Sequence, residues 1–179
     1  MALTVEQIRT AESDEALFNL LSDELQLLLP EELQKDPDRY HATLAELPRG
    51  IHAMAGMYFF DVSMSLDDLA WHFGNQNDER DLMETLNGLR ELELLEIADC
   101  FEKMWDFMKP HMATLQSGGF GGKDFSDWLK DIGAQGLADP MNKIIWKYCE
   151  EHSEYRLMTS WLSYARKYPE RCVVAEPHP

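Results

Sequence analysis

The sequence predicts an all-α fold, a single compact domain of about eight to ten helices. Apolar residues recur three and four positions apart along most of the chain, which places them on one face of a 3.6-residue helix. Helix-starting and helix-stopping residues punctuate that pattern at helix-length intervals. The strict apolar–polar alternation of half-buried strands is missing, and Cys172-Val173-Val174 is too short to supply a strand.

Thr4 and Gln7 form a capping-box pair, in which each side chain serves a free backbone N–H, so a short first helix starts there. Ser13, followed by Asp14 and Glu15, starts a second; Leu17, Leu20, Leu21, Leu25 and Leu28 line it until Pro30 ends it. Pro37 suits the first turn of a third helix, which runs towards Pro48. Residues 49–61 are apolar almost all round, and Ile51, Met54, Ala55, Tyr58 and Phe59 predict a central buried helix. Ser65 with Asp68 reads as the cap of a short helix carrying Leu66, Leu69, Ala70 and Phe73. Residues 74–77 form a turn, and Asn77 can cap a helix over 78–89 with Leu82, Met83, Leu86 and Leu89 inward. Gly88 weakens the end of that helix, and a second helix or a continuation covers about 91–109, up to Pro110.

Residues 117–122, Ser-Gly-Gly-Phe-Gly-Gly, are the clearest break. They divide the chain into an acidic helical body (1–116), a glycine-rich loop (117–123) and C-terminal helices (124–179) that pack on the body within one domain. Helices are expected near 124–132, 139–149 and 153–167, with Asp139 as N-cap and Pro140 at the first helical position of the second.

The formal net charge is -17 over 179 residues, with 45% hydrophobic residues, enough for a real core. The charge is uneven: residues 1–140 carry -18 and residues 141–179 carry +1. Such a field attracts cations and basic surfaces and repels phosphates, so direct nucleic-acid binding is not expected. Cys100, Cys149 and Cys172 are far apart and odd in number, which suits a reduced, cytoplasmic setting. The N-terminus lacks the apolar stretch of a signal peptide, and no apolar run approaches membrane-spanning length.

The helix at 91–109 places Leu94, Ile97, Ala98, Phe101, Met104, Trp105 and Met108 on one side, and Glu91, Asp99, Glu102 and Asp106 opposite, with Glu96 at the margin. Glu91 to Asp106 spans about 22 Å at roughly 1.5 Å per residue. Like charges at this spacing repel, and Lys103 alone offers a counter-charge within the helix. An unneutralised row points to an external cation or basic protein. Asp67, Asp68, Asp78, Glu79, Asp81 and Glu84 from neighbouring segments can join it, as can Asp14, Glu15, Asp23, Glu24, Glu31 and Glu32.

Catalytic signatures are missing. There is no His-Glu-x-x-His and no Gly-x-Ser-x-Gly; a phosphate-binding loop at 117–124 would need glycine at Ser117 and a hydroxyl at Asp124. Asp68 and His72 stand one turn apart, but two ligands are not a metal site, and they read as a cap and a surface or half-buried imidazole. His41 and His52 have no acid partner in sequence, and the five tryptophans fall on helical patterns and read as core. No catalytic residue, metal or cofactor is expected.

Three stretches carry a resemblance: Met57–Asn75, the acidic helical pair over 78–109, and the ending from Leu137 through Asp139 and Tyr164 to Tyr168-Pro169-Glu170. The chain resembles a bacterial all-helical family of unknown-function domains that includes an acidic DNA mimic. Where that family usually carries Asn-Gly-Gly-Phe, this chain has Ser63-Met64-Ser65-Leu66. The resemblance implies no catalytic residues; it implies carboxylates that imitate DNA phosphates on the DNA-binding surface of a transcription factor. The expectation is a non-enzymatic protein, monomer or homodimer, that binds a basic partner. An immunity-type inhibitor of a basic toxin uses the same electrostatics, and a helical metal-binding protein or enzyme is the remaining class.

Overall fold

The computed structural model describes residues 2–117 and 122–174, with the backbone alone for Gly122 and Lys123. It is all-α, and no strand occurs among the described residues. The helices are α1 (Val5–Thr10), α2 (Asp14–Leu28), α3 (Pro37–Ala45), α4 (Arg49–Leu66), α5 (Leu69–Asn75), α6 (Glu79–Glu91), α7 (Leu95–Met108), α8 (Met112–Gln116), α9 (Gly122–Asp131), α10 (Ala134–Glu151) and α11 (Met158–Lys167). Short 3-10 turns lie at Glu31–Lys35, Lys109–His111 and Pro169–Arg171.

Helix α4 is the centre, and Ile51, Met54 and Ala55 are buried as expected; Met57 and Phe60 fill the core instead of Tyr58, which is exposed, and Phe59, which is half-buried. It runs antiparallel to α6, and the two backbones approach through glycine. A Cβ on Gly56 would meet the Glu84 carbonyl oxygen at 2.6 Å, and one on Gly88 would meet that of Ala53 at 2.5 Å. Gly88 is therefore a packing residue of this crossing. Thr85 adds a hydrogen bond from Oγ1 to the Gly56 carbonyl, 2.9 Å. Helix α7 covers α6, α5 and α10, while α11, α2 and α3 pack on other sides of α4. A single core cluster runs from Leu3 to Cys172, so the C-terminal helices share the interior of the acidic body. All three cysteines are free and buried, and burial pushes the Cys172 thiol up to about 12.

Several boundaries differ from the sequence expectation. Helix α4 continues to Leu66, so Ser65 is inside it, with its hydroxyl bonded to the Val62 carbonyl, and Asp68 alone caps α5. Leu66 is 78% exposed, and Met83 also faces solvent. Asp78, not Asn77, caps α6. Helix α9 starts at Gly122, and residues 118–121 of the expected loop lie outside the described residues. Gly133, at φ 82°, separates α9 from α10, so Asp139 and Pro140 lie inside α10 rather than at its start. Pro140 is tolerated because it and Gly136 face solvent, where water serves the carbonyl left without an N–H partner. Helix α11 begins at Met158, after a turn in which Arg156 is left-handed.

Candidate protein-binding surface

The acidic row of α7 depends on where α6 ends. Glu91 is the last residue of α6, and α7 starts at Leu95. Between them Glu93 adopts φ 63°; the Leu94 N–H reaches the Leu89 carbonyl and the Glu93 N–H that of Arg90. This doubly bonded helix end usually takes glycine at the left-handed position. Here Leu92 and Leu94 are buried, and Lys167 holds Glu93 from outside at 2.7 Å.

Glu91 is accordingly removed from the expected row. Its carboxylate takes Arg49 at 2.8 Å, Arg171 at 3.4 Å and the Tyr164 hydroxyl, whose pKa rises to about 12 through burial, with the Glu91 carboxylate raising it further. This group ties α4, α6 and α11 together. Replacing Glu91 with Gln is expected to lower stability by about 1–3 kcal/mol, because three donors lose a charged acceptor. Urea unfolding checks the loss; partner binding should be unchanged.

The remaining row is Glu96, Asp99, Glu102 and Asp106 on the solvent side of α7, opposite buried Ile97, Phe101, Met104, Trp105 and Met108. Lys103 is not the only neutralising group: Arg90 of α6 reaches Glu102 at 2.8 Å, and Lys109 reaches Asp106 at 2.8 Å. Glu96 and Asp99 are exposed and have no ion pair among the described residues. Arg90 thereby ties the solvent faces of α6 and α7 together.

The other expected carboxylates are placed differently. Asp67 is exposed beyond the end of α4, and Asp68 accepts the Trp71 N–H at 2.9 Å as the cap of α5. Glu79 is exposed in the first turn of α6. Asp81 and Glu84 turn towards imidazoles that the sequence left without acid partners: His41 Nε2 is 3.1 Å from Asp81, and His52 Nε2 is 2.7 Å from Glu84. Burial raises the Asp81 carboxyl, with His41 opposing the shift. Burial, then the charges of Asp81 and Glu84, push the Tyr40 hydroxyl up to about 12. Asp78 accepts from the Arg80 side chain and backbone N–H, and these bonds hold its carboxyl below the usual range; Arg80 Nη1 also reaches Asp38 of α3 at 2.8 Å. In the N-terminal stretch, Asp14 pairs with Arg166, and Glu24 is buried and accepts the Leu3 N–H at 3.0 Å. Asp23, Glu31 and Glu32 remain exposed.

His72 is not a surface ligand beside Asp68. It is fully buried, with Nδ1 2.9 Å from Ser63 Oγ and its ring among Phe60, Phe73 and Phe101. Nε2 has no hydrogen-bond partner among the described residues, and burial lowers its pKa to about 3. Of the tryptophans, Trp105 and Trp161 are core, while Trp146 is 39% exposed. No helix among the described residues is long and apolar enough to cross a membrane. Comparison with known protein families, curated proteins and solved structures finds no match.

Proposed function

We propose that the chain is a non-enzymatic acidic protein that binds a basic protein partner, and that it acts as a DNA mimic on the DNA-binding surface of a transcription factor. The observation that supports this reading is the exposed Glu96–Asp99 pair, which makes no ion pair among the described residues, beside Glu102 and Asp106 on a helix whose opposite face is buried. Glu102 and Asp106 are paired with Arg90 and Lys109, so the free charges are Glu96 and Asp99, about 4.5 Å apart along the axis at roughly 1.5 Å per residue. One DNA strand presents a phosphate about every 3.4 Å, so this pair matches the spacing of two neighbouring phosphates to within about 1 Å. The resemblance of Met57–Asn75, 78–109 and the C-terminal stretch to a family that includes a DNA mimic points the same way.

Capture from an extract of the source cells at about 50 mM salt tests the proposal. The expected partner is a basic DNA-binding protein that is released as salt rises to about 200 mM and loses its DNA when the chain is added. A captured protein that keeps its DNA, or one that is itself acidic, contradicts the mimic reading.

A further inference from the structure

We propose that His41, Asp78 and Asp81 form a site for one divalent metal ion of the zinc class, separate from the α7 row. The donors come from two elements, α3 and the N-terminal end of α6, and from no simple sequence motif. One ligand atom from each lies within 4.8 Å of the others. Ligand atoms each about 2.1 Å from a tetrahedral zinc ion stand about 3.4 Å apart. His41 Nε2 and Asp81 Oδ1, at 3.1 Å, are already near that separation. One imidazole with two carboxylates is a borderline donor set, suited to zinc rather than to calcium or magnesium.

The electrostatics favour a cation here. Asp78, Asp81 and Glu84 converge on this end of α6, and Arg80 divides its donors between Asp78 and Asp38. Arg80 is the one Lys or Arg side chain bonded to these three carboxylates among the described residues. All three proposed ligands are partly buried, His41 with 13% of its side chain exposed, which limits hydration of a bound ion. Asp81, alone of the three, also lines a small cavity of about 10 Å³ with Tyr40, Gln76, Glu84 and Thr85. Asp78 Oδ1 accepts both the backbone N–H and the Nε–H of Arg80, but Oδ2 accepts only from Arg80 Nη2 at 3.0 Å and keeps a lone pair, so Asp78 can coordinate through Oδ2 while Oδ1 still caps α6.

Isothermal titration of the EDTA-treated full chain with Zn²⁺ and, in parallel, Mg²⁺ tests the site. One Zn²⁺ per chain is expected, with a rise in melting temperature, and Mg²⁺ should bind at least about tenfold more weakly. His41→Gln and Asp81→Asn should each weaken Zn²⁺ binding at least about tenfold, whereas Glu79→Gln, one residue away and exposed, should not. No stoichiometric Zn²⁺ binding, or binding unchanged in His41→Gln, overturns the proposal.

Discussion

Lowering the pH from 6.5 to 4.5 should destabilise the protein steeply, and His72→Phe should remove most of that slope. The imidazole is fully buried, faces three phenyl rings and Ser63, and has no carboxylate in contact. Its folded pKa of about 3 lies below the unfolded value of 6.5. Between those values the unfolded chain binds a proton that the folded chain refuses. Stability therefore rises with pH across this window and is lost as pH falls below 6.5. A single such group contributes up to about 1.4 kcal/mol per pH unit; the slope is only half developed at pH 6.5, so the loss from 6.5 to 4.5 is about 2.3 kcal/mol. Asp81 and Asp61, whose carboxyls burial raises, act in the opposite direction, so the quantity to read is wild type minus His72→Phe. Urea midpoints at pH 7.5, 6.5, 5.5 and 4.5 give it; parallel curves for the two proteins would sink the assignment.

Gly88→Val should destabilise by about 3 kcal/mol or more, the upper range for overpacking. The obstacle at 2.5 Å is the Ala53 backbone carbonyl, which no rotamer change can move. Gly56→Val should behave alike, since its Cβ would meet the Glu84 carbonyl, and α4 and α6 would have to separate along their shared length. For a protein of this size the loss corresponds to a fall in melting temperature of roughly 6–12 °C. Gly136→Ala is the control: its Cβ would meet nothing within 4 Å, and better helix propensity should leave the protein equal or slightly more stable. A normal melting temperature in Gly88→Val would show that the two helices are not in close contact.

The helical class and the buried character of α4 were legible because both follow from local periodicity. The caps at Thr4 and Ser13 were legible for the same reason, since capping acts over three residues, whereas at Ser65-x-x-Asp68 the pattern was right for a cap but placed it three residues early. The α6–α7 break was not, because Glu93 occupies a position where glycine is the usual signal, and burial of Leu92 and Leu94 with a distant Lys167 makes it tolerable. That error lengthened the acidic row by one residue, Glu91. Charge pairing was equally hidden: Arg90 to Glu102, Arg171 to Glu91 and Lys167 to Glu93 connect different elements. So do the histidine contacts of Asp81 and Glu84. Gly56 and Gly88, 32 positions apart, carry a signal only in retrospect: two glycines in helical segments that also pack apolar residues.

The -17 of the sequence is therefore much less available than its size suggests, and the surface that supports partner binding narrows to α7, with Glu96 and Asp99 at its centre. The decisive measurement is competition against labelled DNA bound to the captured partner, comparing wild type with Glu96→Lys/Asp99→Lys and with Asp131→Lys/Asp139→Lys. The two variants carry the same charge change, and all four positions are exposed. The α7 variant should compete at least about tenfold less well, about 1.4 kcal/mol, while the control stays close to wild type. Equal weakening by both variants would mean that net charge rather than this helix attracts the partner, and unchanged competition by the α7 variant would contradict the proposed surface outright.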